Sequence, residues 1–131
     1  MRKRMLAIAP LGLAIMAATP QAKAGANDYD FQPVTAEVKN GAGSEVVVRL
    51  IHKPTGKPVA GALVFRSRLD MSPEEMGDMT AKLTPEPPSE PGLYRFKAET
   101  AMAGKWALKL MAKVPGESET VAGTIIVTAK D

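Results

Sequence analysis

Leu93-Tyr94-Arg95-Phe96-Lys97-Ala98-Glu99 and, after a short break, Lys105-Trp106-Ala107-Leu108-Lys109-Leu110 alternate apolar with mostly charged side chains. A period of two marks an extended chain with one buried face, because successive side chains point to opposite sides. Tyr94, Phe96 and Ala98 are thus expected inward, opposite Arg95, Lys97 and Glu99. Trp106, Leu108 and Leu110 repeat the pattern opposite Lys105, Lys109 and Lys113. The same period runs upstream. Val34, Ala36 and Val38 alternate with polar residues until Asn40-Gly41-Ala42-Gly43 breaks the run. Residues 45–53 place Val46, Val48 and Leu50 on one face, and Lys53-Pro54-Thr55-Gly56-Lys57-Pro58 reads as a turn. Residues 59–70 set Leu63, Phe65 and Leu69 against Val64, Arg66 and Arg68. Residues 121–129 form a last β-branched strand. Short strands separated by turn signals predict an all-β fold, an immunoglobulin-like β-sandwich of about seven strands.

Two stretches depart from the strand period. Ser72-Pro73-Glu74-Glu75 carries helix-start signals, which predict one short helical turn over 73–79. Residues 84–92 hold four prolines. They are expected to form an exposed, extended connection and no central strand, since proline lacks an N–H and fixes φ.

The N-terminus has the layout of a secretory signal peptide. Met1-Arg2-Lys3-Arg4 is basic, residues 6–18 are uncharged and mostly apolar, and Gln21-Ala22-Lys23-Ala24 supplies small residues before a cleavage point. The apolar run falls short of the ~20 residues that span a bilayer as a helix. The expected organisation is a signal peptide over 1–24, a polar leader over 25–33 that Tyr29 and Phe31 would pin to the body, and one sandwich over 34–131. The expected location is periplasmic, with no membrane span after cleavage.

Charge and composition exclude several classes. Four of the 17 Lys and Arg lie in the signal, leaving 13 against 14 Asp and Glu, a net of −1 on the mature chain. The basic pI of about 9.3 therefore belongs largely to the export signal and gives nucleic-acid binding no support. The chain has no cysteine, which removes disulfides, thiolate zinc sites and thiol redox chemistry. With one histidine, and no serine in a Gly-x-Ser-x-Gly context, no enzyme class is indicated.

Gly92-Leu93-Tyr94 followed by Met102-Ala103-Gly104-Lys105-Trp106 resembles the second half of the YtkA-like/FixH-like family, small extracytoplasmic β-sandwich domains. Gly56-Lys57-Pro58-Val59-Ala60-Gly61-Ala62 is also similar, though that phrase recurs in many sandwiches. The resemblance implies work around copper, metal efflux or respiratory oxidase assembly. The oxidase-assembly members keep a membrane anchor, whereas this N-terminus looks cleavable.

Against that background the stretch from Asp70 to Met79 stands out, with Met71, Met76 and Met79 among four carboxylates. Thioethers are neutral, soft donors that suit Cu(I) without deprotonation. On a helical turn, Met76 and Met79, three apart, would share a face. Met102 and His52 could complete the set. The competing reading is apolar filler, since methionine readily fills irregular gaps in cores, and His52 as a structural residue. Asp70, Glu74, Glu75 and Asp78 lack calcium-loop spacing and are expected to form a solvated, helix-capping face. Trp106 is expected in the core. The sequence thus leaves two functions: a periplasmic copper or heavy-metal handling protein with Cu(I) as cofactor, or a metal-free module. That module would dock on a membrane efflux or respiratory oxidase complex.

Overall fold

The alternation of the sequence becomes nine strands and a curled sheet in the computed structural model, which describes residues 26–88 and 90–131. The expected signal peptide lies outside the described residues. The strands are β1 (Tyr29–Pro33), β2 (Glu37–Lys39), β3 (Ser44–His52), β4 (Lys57–Pro58), β5 (Leu63–Met71), β6 (Met76–Glu86), β7 (Leu93–Glu99), β8 (Gly104–Lys113) and β9 (Val121–Lys130). They run β1-β3-β7-β6-β5-β8-β9-β2, with β4 pairing β3. All pairings are antiparallel except β2 with β9. One layer is β1-β3-β7 and the other β5-β8-β9-β2. The long β6 passes from one to the other, pairing β5 through Met76–Ala81 and β7 through Lys82–Glu86.

Both layers turn their alternate apolar residues inward. Val46, Val48, Leu50 and Phe96 from the first meet Leu69, Trp106, Leu108, Leu110, Val121 and Val127 from the second, all essentially buried. The flank away from β6 closes where Phe31 of β1 lies across Gly123 of β9. A Cβ on Gly123 would stand 2.7 Å from the Phe31 ring, so only glycine admits this approach.

Four expectations need correction. The stretch expected as a polar leader supplies β1, because Phe31 is buried in the core. The 84–92 segment does contribute a strand end: Thr84-Pro85-Glu86 pairs with Lys97, Phe96 and Arg95. That half of β6 has a neighbour on one side only, so the missing N–H of Pro85 breaks no ladder. The inward set of β5 is Val64, Ser67 and Leu69, not Leu63, Phe65 and Leu69. A bulge between Val64 and Arg66 reverses the parity, leaving Leu63 and Phe65 exposed. Finally, the expected short helical turn is present but ends sooner, as a single 3-10 turn over Ser72–Glu74, and β6 begins at Met76.

Candidate functional site

The 3-10 turn joins β5 to β6 and sits on the start of β8. Pro73 lies at its N-terminal end, where a missing N–H costs nothing. Ser72 is not the cap. The turn's first amide, Ser72 N–H, donates to Asp70 Oδ1 at 3.0 Å. Glu75 ends the turn in the left-handed conformation, φ 61° and ψ 30°, and donates its N–H to Ser72 O. Glu74 fastens the turn to the next strand by accepting from Lys105 N–H at 2.9 Å.

Asp70 is not the solvated carboxylate expected from the sequence. It is 1% exposed and takes Arg68 Nε at 2.7 Å and Lys109 Nζ at 3.1 Å. Burial works against its ionisation, but hydrogen bonds from Ser72, Arg68 and Lys109 prevail and hold the carboxyl well below the usual range. Arg68 also donates to Gly77 O at 2.8 Å. One buried anion thereby fixes both arms of the β5–β6 hairpin and the adjoining strand.

The expected ligands divide on this scaffold. Met71 is fully buried, with its methyl 2.7 Å from the position a Cβ on Gly104 would take. Gly104 has φ +140°, so glycine is needed here both for backbone conformation and for space. Met76 is the cross-strand partner of Met71 and is 36% exposed. Met79 packs half-buried against the core. Met76 and Met79 share no helical face, because both lie on a strand. Met102 occupies the β7–β8 connection, 38% exposed. Its carbonyl accepts from the Trp106 indole at 3.2 Å, which satisfies a buried donor.

Met71, Met76 and Met102 therefore belong to one end of the sandwich. His52 belongs to the other. β3 starts with Ser44 opposite Ala98, near the Met102 connection, and runs past Arg49 opposite Leu93 to His52 opposite Tyr29. Eight strand steps place His52 about 26 Å along the sheet from that start. Its Nδ1 lies 2.9 Å from Thr55 Oγ1 and its ring stacks tilted on Tyr29 at 5.2 Å. It stands apart from the three methionines. Among the described residues no three His, Asp or Glu side chains gather as hard metal ligands.

The opposite end holds the glycine–tyrosine pair of the sequence signature. Leu50 N–H donates to Gly92 O, and the buried Tyr94 hydroxyl donates to Val59 O at 2.6 Å while accepting from Ala62 N–H at 3.1 Å. Burial raises the Tyr94 phenol above its ordinary value, and the Ala62 amide works against that rise. Tyr29 donates to Glu117 at 2.8 Å; burial, then that carboxylate, pushes its phenol up to about 12. The glycine–tyrosine and glycine–tryptophan pairs are thus structural, one locking each end.

A glycine–tyrosine corner at one end, a glycine–tryptophan lock at the other and a β2 that runs parallel to β9 define a small immunoglobulin-like sandwich. The YtkA-like family model matches residues 23–111, and the chain belongs to that family. No curated protein and no solved structure shows significant similarity to it. No helix of the described residues is long and apolar enough to cross a membrane.

Asp70 is the residue that sequence reasoning missed. Its signal was the alternation itself: Arg68-Leu69-Asp70 puts a cation and an anion on one strand face.

Proposed function

We propose that the chain is an exported, non-catalytic periplasmic domain that handles a soft metal ion, Cu(I), at the methionine end. The observation that supports the reading is that Met76 and Met102, at that end, are each more than a third exposed, with the Met102 carbonyl held by the Trp106 indole. Met79 is half-buried against the core, and Met71 is fully buried. His52 takes no part. Sulfur donors of this kind favour Cu(I) over harder ions.

Anaerobic titration of Cu(I) against a competing chelator tests the proposal. Met76→Ser with Met102→Ser is expected to weaken binding at least tenfold, whereas His52→Ala leaves it unchanged. Wild-type binding no tighter than that of the double variant would end the metal reading.

One observation favours a second reading. The sulfur of Met71 is sealed in the core, which is how methionine behaves as filler. Met76 and Met102 then become an apolar docking tip for a membrane efflux or respiratory oxidase complex. Capture of such a complex that persists in the presence of chelators supports docking without metal.

A further inference from the structure

The net charge of −1 conceals a segregation. β5, β8 and β9 carry Arg66, Arg68, Lys105, Lys109, Lys113 and Lys130, with Asp70 as their single carboxylate. The other described residues hold seven cations and thirteen carboxylates. Strand register puts the charges of this sheet on its outer side. Leu63 lies opposite Lys113, Arg66 opposite Met111 and Arg68 opposite Lys109. Trp106, Leu108, Leu110 and Ala112 fill the inner side of β8.

Asp70 lies buried beneath Arg68 and Lys109 and holds them in place. The Arg66 side chain has no ion-pair or hydrogen-bond partner among the described residues. Lys130, at the β2 edge, is paired with Glu37. By contrast the outer side of the other layer is mixed, with Arg95 paired to Glu45 and Lys97 to Glu86.

Apolar side chains stand among these cations. Leu63 is 64% exposed, Phe65 48% and Ile126 45%. The bulge that displaced Phe65 from the core turns it out beside Arg66. On the same face, Met111 lines a trough of about 350 Å³ with Arg66, Arg68, Lys109 and Thr124.

We propose that the outer face of β5-β8-β9 docks on an anionic phospholipid surface. Such a surface supplies both things the face asks for. Headgroup phosphates meet Arg66, Arg68, Lys105, Lys109 and Lys113, and the interfacial zone takes Phe65, Leu63 and Ile126. An acidic segment without apolar side chains would satisfy the cations and leave the three apolar groups wet. The face is open, and its guanidinium and ammonium groups project from neighbouring strands of one sheet, as contact with an extended surface requires. This placement is independent of the methionine end and of any metal.

Vesicle sedimentation tests it with residues 25–131, which contain the entire described core. Phosphatidylcholine vesicles containing phosphatidylglycerol are expected to carry the protein down, pure phosphatidylcholine vesicles not, and added salt to release it. Arg66→Glu with Lys113→Glu removes two cations that do not hold Asp70. It is expected to lower partition by roughly tenfold or more while leaving Trp106 fluorescence unchanged. Phe65→Ser is expected to weaken vesicle binding without altering capture by polyglutamate. Equal sedimentation with both vesicles, none at low salt, or an unaffected double variant would overturn the proposal. Binding to polyglutamate without binding to vesicles would overturn it in favour of an acidic protein partner.

Discussion

The two ends of this sandwich are anchored in the same way and finished differently. At the tyrosine end, three polar side chains are engaged by the fold: Tyr94 by Val59 and Ala62, Tyr29 by Glu117, His52 by Thr55. At the methionine end the framework is equally tied, through Asp70, Glu74 and the Trp106 indole, yet two thioethers are left facing solvent. Order beneath and soft donors above is the arrangement a binding site needs, since preorganised groups lose less freedom when a ligand arrives. The tyrosine end offers no such surplus.

The contrast is tested most severely by comparing buried with exposed sulfur. Met71→Ala removes a fully buried side chain and should cost about 3 kcal/mol, within the range for large-to-small core changes. Met102→Ala, a third exposed and bound to Trp106 only through its backbone carbonyl, should stay within about 0.5 kcal/mol. Urea denaturation of both variants measures the contrast. Equal costs would mean that the end is a single apolar plug, and the case for free donors there would be gone.

Asp70 comes next. Asn at this position keeps an acceptor for Ser72 N–H but gives up the charge that Arg68 and Lys109 address. Both cations are about half exposed, so water replaces part of what they lose, and the expected cost is about 2 kcal/mol near neutral pH. The pH dependence follows from the direction of the shift. A carboxyl depressed in the folded state contributes fully above its ordinary value of 3.8. That contribution fades as pH falls through and below this point. The gap between wild type and Asp70→Asn should therefore be constant above about pH 5 and narrow below pH 4, as thermal melts across that range would show. A gap that persists at low pH would assign the cost to shape, not charge.

How far the sequence carried this picture depends on what each residue answers to. The strands around Phe96 and Trp106 were legible because burial of one face imposes a strict period of two. That period also placed Trp106 in the core. Phe65 was misread because a bulge adds one residue and flips the parity downstream, and no residue type in Val64-Phe65-Arg66 announces it. The helical turn was seen and its length overestimated: Pro73 and Glu74 do open a turn, but Glu75 leaves in the left-handed region and β6 pairing takes over. Phe31 was legible as the anchor of the leader, but not that the anchored stretch would pair as β1, which follows once Gly123 offers a bare backbone for the ring to lie on. Candidate ligands were the hardest. Spacing along the chain put Met76 and Met79 together on a helix that does not form, and only topology sends His52 to the far end.

The smallest expected effect probes the tyrosine end. Phe at position 94 keeps the ring in the core and deletes the hydroxyl that bridges Val59 O and Ala62 N–H. Two backbone groups lose a partner, but Ala62 is itself only half-buried, so water recovers part of the loss and the cost should be about 1 kcal/mol. The damage should be local. The Ala62 amide should exchange with solvent faster than in wild type, while amides of β8 around Leu108 keep their protection. Cu(I) binding should not change, because the hydroxyl secures the end of the molecule that spends its polar groups on the fold. A Tyr94→Phe variant that altered metal affinity would show that the two ends are coupled through the core, and that the methionine end owes its readiness to the corner opposite.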